Sequence, residues 1–312
     1  MRTVFLGTSD ISVPSLEALI ESEHEVCAVI TQPDKAKGRG RKMAASPVKE
    51  AALRENIPLI QPAKVGSEEV LEELRKISPD IFVLVSFAQM IPEALCSIAP
   101  FGCINMHPSL LPKYRGAGPI RGPILNGDKE GGVTIMQIAP KMDSGDILLQ
   151  ERIPLDPKET LKTYEAKAAK AGAQLVLKAL KGLEEGTIVF TPQNEEEATY
   201  LKKIDKSDGL IDFNRPAAEI ERQIRACDPW PSAFTYLNGK MFKIWDADVE
   251  EKESSALAGT VAEAGKKYIL IKTSQGLLKP NIVQIEGKRR MTMEEFLRGY
   301  KIKEGDRFGK QD

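Results

Sequence analysis

Two side chains suited to hydrogen bonding and proton transfer, Asn105 and His107, are spaced two residues apart at the end of a predicted strand. Side chains at this spacing point to the same side of a strand, so a carboxamide and an imidazole would lie together at one edge of a sheet. The loop that follows has prolines at 108 and 112 and glycines at 116 and 118, which restrain the backbone and let it approach other groups closely. Taken alone, an asparagine beside a histidine fits a structural pair as well as a catalytic one.

A carboxylate from a second loop would complete this set. Asp143 and Asp146 follow the predicted strand at 132–138, so either side chain can reach the same edge of the sheet. A hydrogen-bond donor, an imidazole and a base, with no metal and no activated serine or cysteine nearby, suit acyl transfer in which the substrates supply both nucleophile and acyl group. The spacing does not decide between the two carboxylates.

The turn at residues 7–10 lies between a predicted strand and a predicted helix, where a nucleotide-binding loop would stand. It contains Gly7 but lacks the second and third glycines of the dinucleotide-binding motif, which argues against NAD. We interpret it as a tight strand-to-helix turn with Asp10 or Ser12 as the helix cap. A close approach of this turn to a ligand stays open.

Short apolar runs alternate with amphipathic stretches through the first half of the chain, which predicts an α/β fold with a Rossmann-like, doubly wound, mostly parallel sheet. The predicted strands are residues 3–6, 26–30, 58–60, 81–85, 102–107 and 132–138, and the predicted helices are residues 14–21, 48–55, 68–77 and 160–180. Such sheets bind ligands at the carboxyl ends of their strands. Asn105, His107 and Asp143 all fall at such ends.

The pattern changes class after about residue 205. A helix capped by Asn214 precedes a predicted hairpin, in which strands at 234–237 and 241–245 flank the turn sequence Asn238-Gly239. Thr292 and Glu295 form a capping box that opens a last helix. Further strands at 259–263, 268–273 and 282–285 predict a small barrel or sandwich, and of the two we expect a smaller, OB-like β-barrel. We therefore expect a catalytic domain over 1–188, a linker over 189–205 and a barrel domain over 206–312.

The composition is that of a folded, nearly neutral protein. The 312 residues are 42% hydrophobic and 29% charged, with a net charge of -1, which excludes a uniformly basic nucleic-acid binder. Four cysteines without paired spacing and two histidines argue against a zinc site and indicate reduced thiols. Without a recognisable signal peptide or an 18-residue apolar stretch, we expect a cytoplasmic protein, not a membrane protein. We also expect a monomer.

Positive charge is nonetheless concentrated in two segments. Residues 34–49 contain six basic residues, two glycines and a single acid, and residues 265–312 contain twelve basic and six acidic residues. A run of charge is usually a solvated surface. Here the first run follows the carboxyl end of a strand, where the active site is expected, and a neutral enzyme with an RNA substrate needs such segregation. We expect an RNA partner.

Several motifs together resemble the folate-dependent formyltransferases, in particular those that act on methionyl-tRNA. The matching residues are Thr31-Gln-Pro-Asp34, Gly38-Arg-Gly40-Arg-Lys42, Ser46-Pro-Val-Lys49, Asn105 with His107, Ser109-Leu-Leu-Pro112, Arg115-Gly116, Gly132-Val-Thr-Ile-Met-Gln137, Asp143-Ser-Gly-Asp146, Arg225-Ala-Cys-Asp-Pro-Trp-Pro231 and Gly305-Asp-Arg-Phe-Gly309. The resemblance extends over essentially the whole chain. It implies transfer of a formyl group from 10-formyltetrahydrofolate to the α-amino group of methionine on initiator tRNA.

The resemblance also implies roles for individual residues. Asn105 and His107 would stabilise the oxyanion, and Asp143 would assist proton transfer through a water. The tetrahydrofolate-binding segment would be Ser109, Leu110, Leu111 and Pro112. We expect an apolar slot for the flat pterin after the most convincing strand, formed in part by Phe87, Gln89 and Met90. In the basic segment, the expected contacts to the tRNA acceptor end are Lys35, Lys37, Arg39, Arg41 and Lys42. The barrel would hold the tRNA backbone.

Two other functions compete with this one. The same folate chemistry could serve a small amine acceptor or water, but neither requires a basic segment or an additional β domain. An RNA-binding protein on an inactive scaffold is the second alternative, and the intact set of Asn105, His107 and Asp143 argues against it. Turnover of 10-formyltetrahydrofolate with charged tRNA separates the three.

Overall fold

A computed structural model of the chain describes residues 1–37 and 42–309. The chain divides into two compact units that interleave along the sequence. The first unit comprises Met1–Ile120, Glu130–Pro154 and Glu165–Lys202, and the second comprises Arg121–Lys129, Leu155–Tyr164 and Lys203–Asp312. The domain boundaries expected from the sequence stay a prediction. None of the described helices combines the length and apolar character needed to cross a membrane.

The first unit is built on a seven-stranded sheet with the order β10-β9-β7-β6-β1-β2-β5, and two short two-stranded pairs, β3-β4 and β8-β11, accompany it. The strands of this unit are β1 (Arg2–Gly7), β2 (Glu25–Ile30), β3 (Lys35–Lys37), β4 (Lys42–Ala44), β5 (Leu59–Ile60), β6 (Ile81–Val85), β7 (Cys103–His107), β8 (Arg115–Gly116), β9 (Glu130–Gln137), β10 (Ile147–Pro154) and β11 (Tyr200–Leu201).

Strand direction confirms the doubly wound, mostly parallel sheet. β1 pairs in parallel with both β2 and β6, β2 with β5, and β6 with β7. β9, predicted to continue the parallel pattern, instead runs antiparallel to β7, and β10, which the sequence did not predict, runs antiparallel to β9. The connection between β9 and β10, residues 138–146, is too short for a parallel crossover.

Helices cover the sheet where their apolar side chains recur at helical spacing. The helices in the described residues of both units are α1 (Val13–Glu21), α2 (Pro47–Arg54), α3 (Glu68–Ile77), α4 (Glu93–Cys96), α5 (Gly122–Asn126), α6 (Leu161–Glu184), α7 (Ala217–Ala226) and α8 (Met293–Gly299), of which α5, α7 and α8 belong to the second unit. In α3, for example, Val70, Leu71 and Leu74 are buried in a core cluster with Val4, Leu6 and Phe82 of the sheet, while the charged positions between them face solvent.

The order of strands places a ligand crevice beside β1. The chain runs outward from β1 through β2 to β5, then returns to β6 on the other side of β1 and continues to β7. Ligands bind at such a reversal of strand order, outside the carboxyl ends of the strands. In this chain those ends are followed by Ser9 after β1 and by Ser86 and Phe87 after β6.

The second unit confirms the predicted antiparallel fold. Its strands are β12 (Ala233–Leu237), β13 (Lys240–Glu250), β14 (Val261–Ala264), β15 (Ile269–Lys272), β16 (Leu277–Ile285) and β17 (Met291–Thr292), in the order β12-β13-β16-β15-β14 with β17 on β16. Asn238 and Gly239 both have positive φ, 49° and 74°, as a tight hairpin turn requires. The capping box of Thr292 and Glu295 is also present.

The C-terminal segment closes this sheet into a barrel. The amide of Val261 in β14 donates to the carbonyl of Asp306 at 2.8 Å, and the amide of Gly309 donates to the carbonyl of Tyr236 in β12 at 3.0 Å. Both edge strands are therefore covered. One local prediction was wrong: Pro216, not Asn214, precedes α7, and the Asn214 side chain donates to Asp212.

The turn after β1 is held by a buried hydroxyl. Ser12 is fully buried, and its Oγ donates to the carbonyl of Val85 at the end of β6 at 2.6 Å. Neither Ser12 nor Asp10 caps the helix as predicted: Ser12 precedes α1 but makes no capping hydrogen bond, and Asp10 lies in the preceding 3-10 turn. The hydroxyl of Ser12 joins the two strands that border the crevice.

Replacing Ser12 with alanine should therefore lower stability. Ser12→Ala leaves the Val85 carbonyl buried without this donor, and we expect a loss of about 1–2 kcal/mol in the free energy of unfolding. Urea denaturation measures the loss. Ser97→Ala is the matched control, because the Ser97 hydroxyl donates to a backbone carbonyl on an exposed surface. Equal losses in the two variants would contradict this assignment.

Candidate active site

The end of β7 presents Asn105 and His107 to one cavity of about 400 Å³. Asn105 is 7% exposed and His107 4% exposed, so both are nearly enclosed by protein. The carboxamide of Asn105 has no hydrogen-bond partner within the part of the chain that the structure describes. Its N–H donors are therefore available to a molecule in the cavity.

His107 is fixed in one orientation. Its Nε2 lies 3.1 Å from the carbonyl oxygen of Tyr114, and since a carbonyl can only accept, Nε2 carries the proton. Nδ1 is left facing Asp143, with 3.8 Å between Nδ1 and Oδ1. Burial lowers the pKa of His107, while the charge of Asp143 and the Tyr114 carbonyl raise it and the charge of Arg115 lowers it.

The structure distinguishes the two candidate carboxylates by position. Asp143 lines the cavity with Asn105 and His107, and its Oδ2 accepts from the backbone amide of Gly116 at 2.7 Å. Its φ is 50°, and its Oδ1 lies 3.8 Å from Nδ1 of His107. Asp146 is absent from the lining of this cavity in the described chain, and its backbone carbonyl accepts from Gln137 at the end of β9.

An apolar slot borders the polar groups. Phe87 is buried and Met90 is exposed, and both line the cavity with Leu84, Ile91 and further apolar residues. Gln89 also lines it, but both ends of its carboxamide are used: Oε1 accepts from the amide of Val65 at 2.9 Å and Nε2 donates to the carbonyl of Pro62 at 3.3 Å. A flat heteroaromatic ring fits a cavity of this size and lining.

The segment Ser109, Leu110, Leu111 and Pro112 lies outside the lining of this cavity in the described chain. Its polar groups are bound within the protein: the Ser109 hydroxyl donates to the carbonyl of Lys113, and Thr134 donates to the carbonyl of Ser109 at 2.6 Å. These contacts tie the loop after His107 to β9. The folate contacts expected for these four residues stay a prediction.

The basic segment is only partly described. Lys35 is exposed in β3, which pairs with β4 in a register that sets the backbone of Lys37 opposite that of Lys42. Arg39 and Arg41 lie outside the described residues. Lys49 contacts Asp34 at 2.7 Å, so its charge is neutralised. The hydrogen bond from Lys49, and one from Gln61, lower the pKa of Asp34.

Two features of the site escaped the sequence analysis. Glu165, in α6, also lines the cavity, and burial together with the charge of Asp10 raises its pKa. Arg115 is fully buried beside the site and is bound by Gln193, Glu195 and Tyr200, all from the segment predicted as a linker. The Arg115-Gly116 pair is one of the motifs that resemble the formyltransferases, so the sequence did mark Arg115, but nothing in the sequence indicated its partners.

One group of side chains of the metal-ligating type lies away from the cavity. Glu23, His24 and Glu184 bring their ligand atoms within 4.8 Å of one another, and none of them lines the cavity. Glu184 Oε1 contacts the Met1 ammonium at 2.7 Å, and His24 Nδ1 lies 3.2 Å from the same nitrogen. These atoms are already used by the N-terminus.

Comparison with known proteins finds two matching family models and full-length relatives. Residues 1–180 match the family model described as Formyl transferase, and residues 203–301 match Formyl transferase, C-terminal domain. The methionyl-tRNA formyltransferase of Lachnospira eligens is 46% identical over 314 residues, covering 99% of this chain and 100% of that protein. The enzyme of the same name from Agathobacter rectalis is 45% identical over 99% of both chains.

A solved structure shares the fold. The N-formyltransferase from Helicobacter canadensis, in a complex with folinic acid and dTDP-3-aminofucose, superimposes with a TM-score of 0.67 at 24% identity, covering 90% of this chain and 98% of that one. With both family models matched and full-length relatives at this level of identity, the chain belongs to the formyl transferase family, alongside proteins named methionyl-tRNA formyltransferase.

Proposed function

We propose that this protein transfers the formyl group of 10-formyltetrahydrofolate to the α-amino group of methionine on initiator tRNA, in the cytoplasm and as a monomer. The observation that carries the proposal is the convergence of Asn105, His107 and Asp143 on one cavity bordered by an apolar slot. Full-length relatives named methionyl-tRNA formyltransferase supply the identity of the acceptor.

The reaction replaces one C–N bond with another. The uncharged amine of the methionyl group attacks the formyl carbon, negative charge collects on the formyl oxygen, and the bond from that carbon to N10 of the folate then breaks. The attacking nitrogen loses a proton and N10 gains one, so tetrahydrofolate leaves. The protein must therefore stabilise an oxyanion and move a proton.

The three side chains suit these two tasks. Asn105 offers amide donors to the oxyanion. Since Nε2 of His107 is bound to the Tyr114 carbonyl, His107 donates from Nδ1, and it does so as imidazolium. Asp143 accepts the proton of the attacking nitrogen through an ordered water, and its charge stabilises the imidazolium 3.8 Å away.

The contacts proposed for folate are the apolar slot around Phe87, Gln89 and Met90, together with the loop at Ser109, Leu110, Leu111 and Pro112. Phe87, Gln89 and Met90 all line the cavity. The second set is bound to Thr134 of β9: the amide of Leu111 donates to the Thr134 hydroxyl at 3.2 Å, and that hydroxyl donates to the carbonyl of Ser109 at 2.6 Å.

The acceptor end of tRNA is assigned to the basic segment at Lys35, Lys37, Arg39, Arg41 and Lys42. On the second unit we assign the tRNA backbone to a basic and aromatic patch formed by Lys243, Trp245 and Arg290. The Arg290 guanidinium carbon lies 3.2 Å from the centre of the Trp245 ring, and Lys243 Nζ lies 5.5 Å from it. Phosphates and stacked bases both bind such a surface.

Replacing Asn105 with alanine should reduce turnover. Removal of one oxyanion donor typically lowers kcat about 10²- to 10³-fold, and we expect a loss of that order in Met-tRNA formylation by Asn105→Ala. Asn214→Ala, at an exposed site of the second unit, is the control and should retain activity. Wild-type kcat in the Asn105 variant would remove this residue from the mechanism.

Neutralising Asp143 should move the titration of His107. The charge of Asp143 raises the pKa of His107, so Asp143→Asn should lower that pKa further and extend the neutral imidazole to more acidic pH. Imidazole NMR measures the midpoint. The chain has two histidines, and a His24→Gln variant assigns the signals.

Activity should fall with the same substitution, because the proton acceptor is lost. Asp146→Asn is the matched control, and it should leave both the His107 midpoint and kcat unchanged. An equal shift of the His107 midpoint in Asp143→Asn and Asp146→Asn would show that the effect does not depend on which carboxylate lines the cavity.

Reversing charge in the basic segment should affect tRNA selectively. Arg41→Glu with Lys42→Glu should raise KM for Met-tRNA and weaken its dependence on salt, while folate binding stays nearly unchanged. Arg75→Glu with Lys76→Glu makes the same charge change on α3 and serves as the control. Equal losses in tRNA and folate binding would overturn the assignment.

The choice of acceptor is tested directly. Formylation of Met-tRNA should exceed that of an amino sugar or a ribonucleotide amine at matched concentrations. Equal or faster turnover of a small amine would favour the small-acceptor alternative.

A further inference from the structure

Gln193 connects the segment predicted as a linker to the loop that holds Asp143. Its Nε2 donates to the backbone carbonyls of Asp143 at 2.9 Å and Gly145 at 2.7 Å. Its Oε1 accepts from Arg115 twice, from Nη2 at 2.8 Å and from Nε at 3.1 Å. Both N–H donors and both lone pairs of the carboxamide are therefore used.

The loop that Gln193 holds is conformationally demanding. Asp143 has a φ of 50°, which non-glycine residues adopt only when their surroundings hold them there. Gly145 packs so closely on β9 that a Cβ would lie 1.9 Å from the carbonyl oxygen of Gln137. Gln193 binds the first and last carbonyls of this three-residue stretch with a single NH2 group.

The other end of Gln193 is anchored on a fixed charge. The Arg115 side chain is 0% exposed, and its Nη2 also donates to Glu195 at 2.7 Å, while Nη1 donates to the Tyr200 hydroxyl at 3.1 Å. Glu195 binds Lys141 as well. The hydrogen bonds from Arg115 and Lys141 lower the pKa of Glu195 to about 2, so this carboxylate stays charged across the working pH range.

We propose that Gln193 is a positioning residue for formyl transfer, setting the Asp143 carboxylate against His107 from the buried guanidinium of Arg115. The inference rests on the proposed function, because it assigns Asp143 a part in that reaction. A displacement of about 1 Å at such a group can cost about 10²-fold in rate. Gln193 touches neither substrate in this assignment and acts through the loop.

The decisive variant is Gln193→Met, which is similar in length and uncharged but can neither donate to the loop nor accept from Arg115. We expect kcat for Met-tRNA formylation to fall about 10- to 100-fold with little change in KM for either substrate. Asn194→Ala is the matched neighbour: it removes a cap on the 3-10 turn at Glu195–Glu197, and we expect near-normal kcat.

A second measurement does not depend on turnover. Among the described residues, the charge of Asp143 raises the pKa of His107 and the charge of Arg115 lowers it, and Glu165 lines the same cavity. If the loop moves away in the Gln193→Met variant, the His107 midpoint measured by imidazole NMR should shift to lower pH. If Gln193 only stabilised the fold of its segment, Gln193→Met would lower the melting temperature and leave the His107 midpoint unchanged.

A double-mutant cycle completes the test. If Gln193 acts through Asp143, replacing Gln193 should lower kcat little further in a protein that already carries Asp143→Asn. The effects of Gln193→Met and Asp143→Asn on kcat should therefore be strongly non-additive. Additive losses would overturn the proposal, as would wild-type kcat together with a wild-type His107 midpoint in folded Gln193→Met. If that variant does not fold, Gln193→Asn replaces it, because the shorter side chain cannot reach both Arg115 and the loop. The same results are expected for Gln193→Asn, and the same results would overturn the proposal.

Failure of the proposed function gives a different result. In that case the wild-type protein would not formylate Met-tRNA, yet the His107 midpoint would still report whether Gln193 positions Asp143.

Discussion

A buried guanidinium is the constraint on which the rest of the site depends. Arg115 is fully buried, and a charge removed from water is tolerated only with close partners of opposite charge and satisfied donors. The backbone on either side of it holds the two groups that face each other in the cavity: the Tyr114 carbonyl binds His107, and the Gly116 amide binds Asp143. Fixing Arg115 therefore fixes the histidine and the carboxylate at once.

This arrangement also explains where the backbone adopts unfavourable conformations. Tyr114 and Asp143 both have positive φ, at 64° and 50°, a region that non-glycine residues rarely adopt. Such conformations persist only where the surroundings determine them. The required surroundings are Arg115 and the segment around Gln193, whose β11 also pairs with β8. Residues between the two family-model matches thus take part in building the site.

How much of this could be predicted from the sequence depends on whether the cause is local. The period of two along a strand places Asn105 with His107, and the Asn238-Gly239 turn places a hairpin, because both depend on neighbouring residues. Asp143 lines the cavity through the conformation of the loop at 138–146, and the positive φ of Asp143 in that loop is not indicated by residue type. The partners of Arg115 are 78 to 85 residues away, so only the folded sheet brings them together.

The balance of charge around His107 has a consequence for the proposed reaction. With Nε2 committed to Tyr114, the neutral imidazole presents a lone pair at Nδ1, and burial favours this neutral form in the resting site. As negative charge grows on the formyl oxygen, it adds to the charge of Asp143 and raises the proton affinity of Nδ1. The imidazolium, which can donate from Nδ1, is therefore favoured most when the oxyanion is most developed, and an interaction that strengthens toward the transition state accelerates the chemical step.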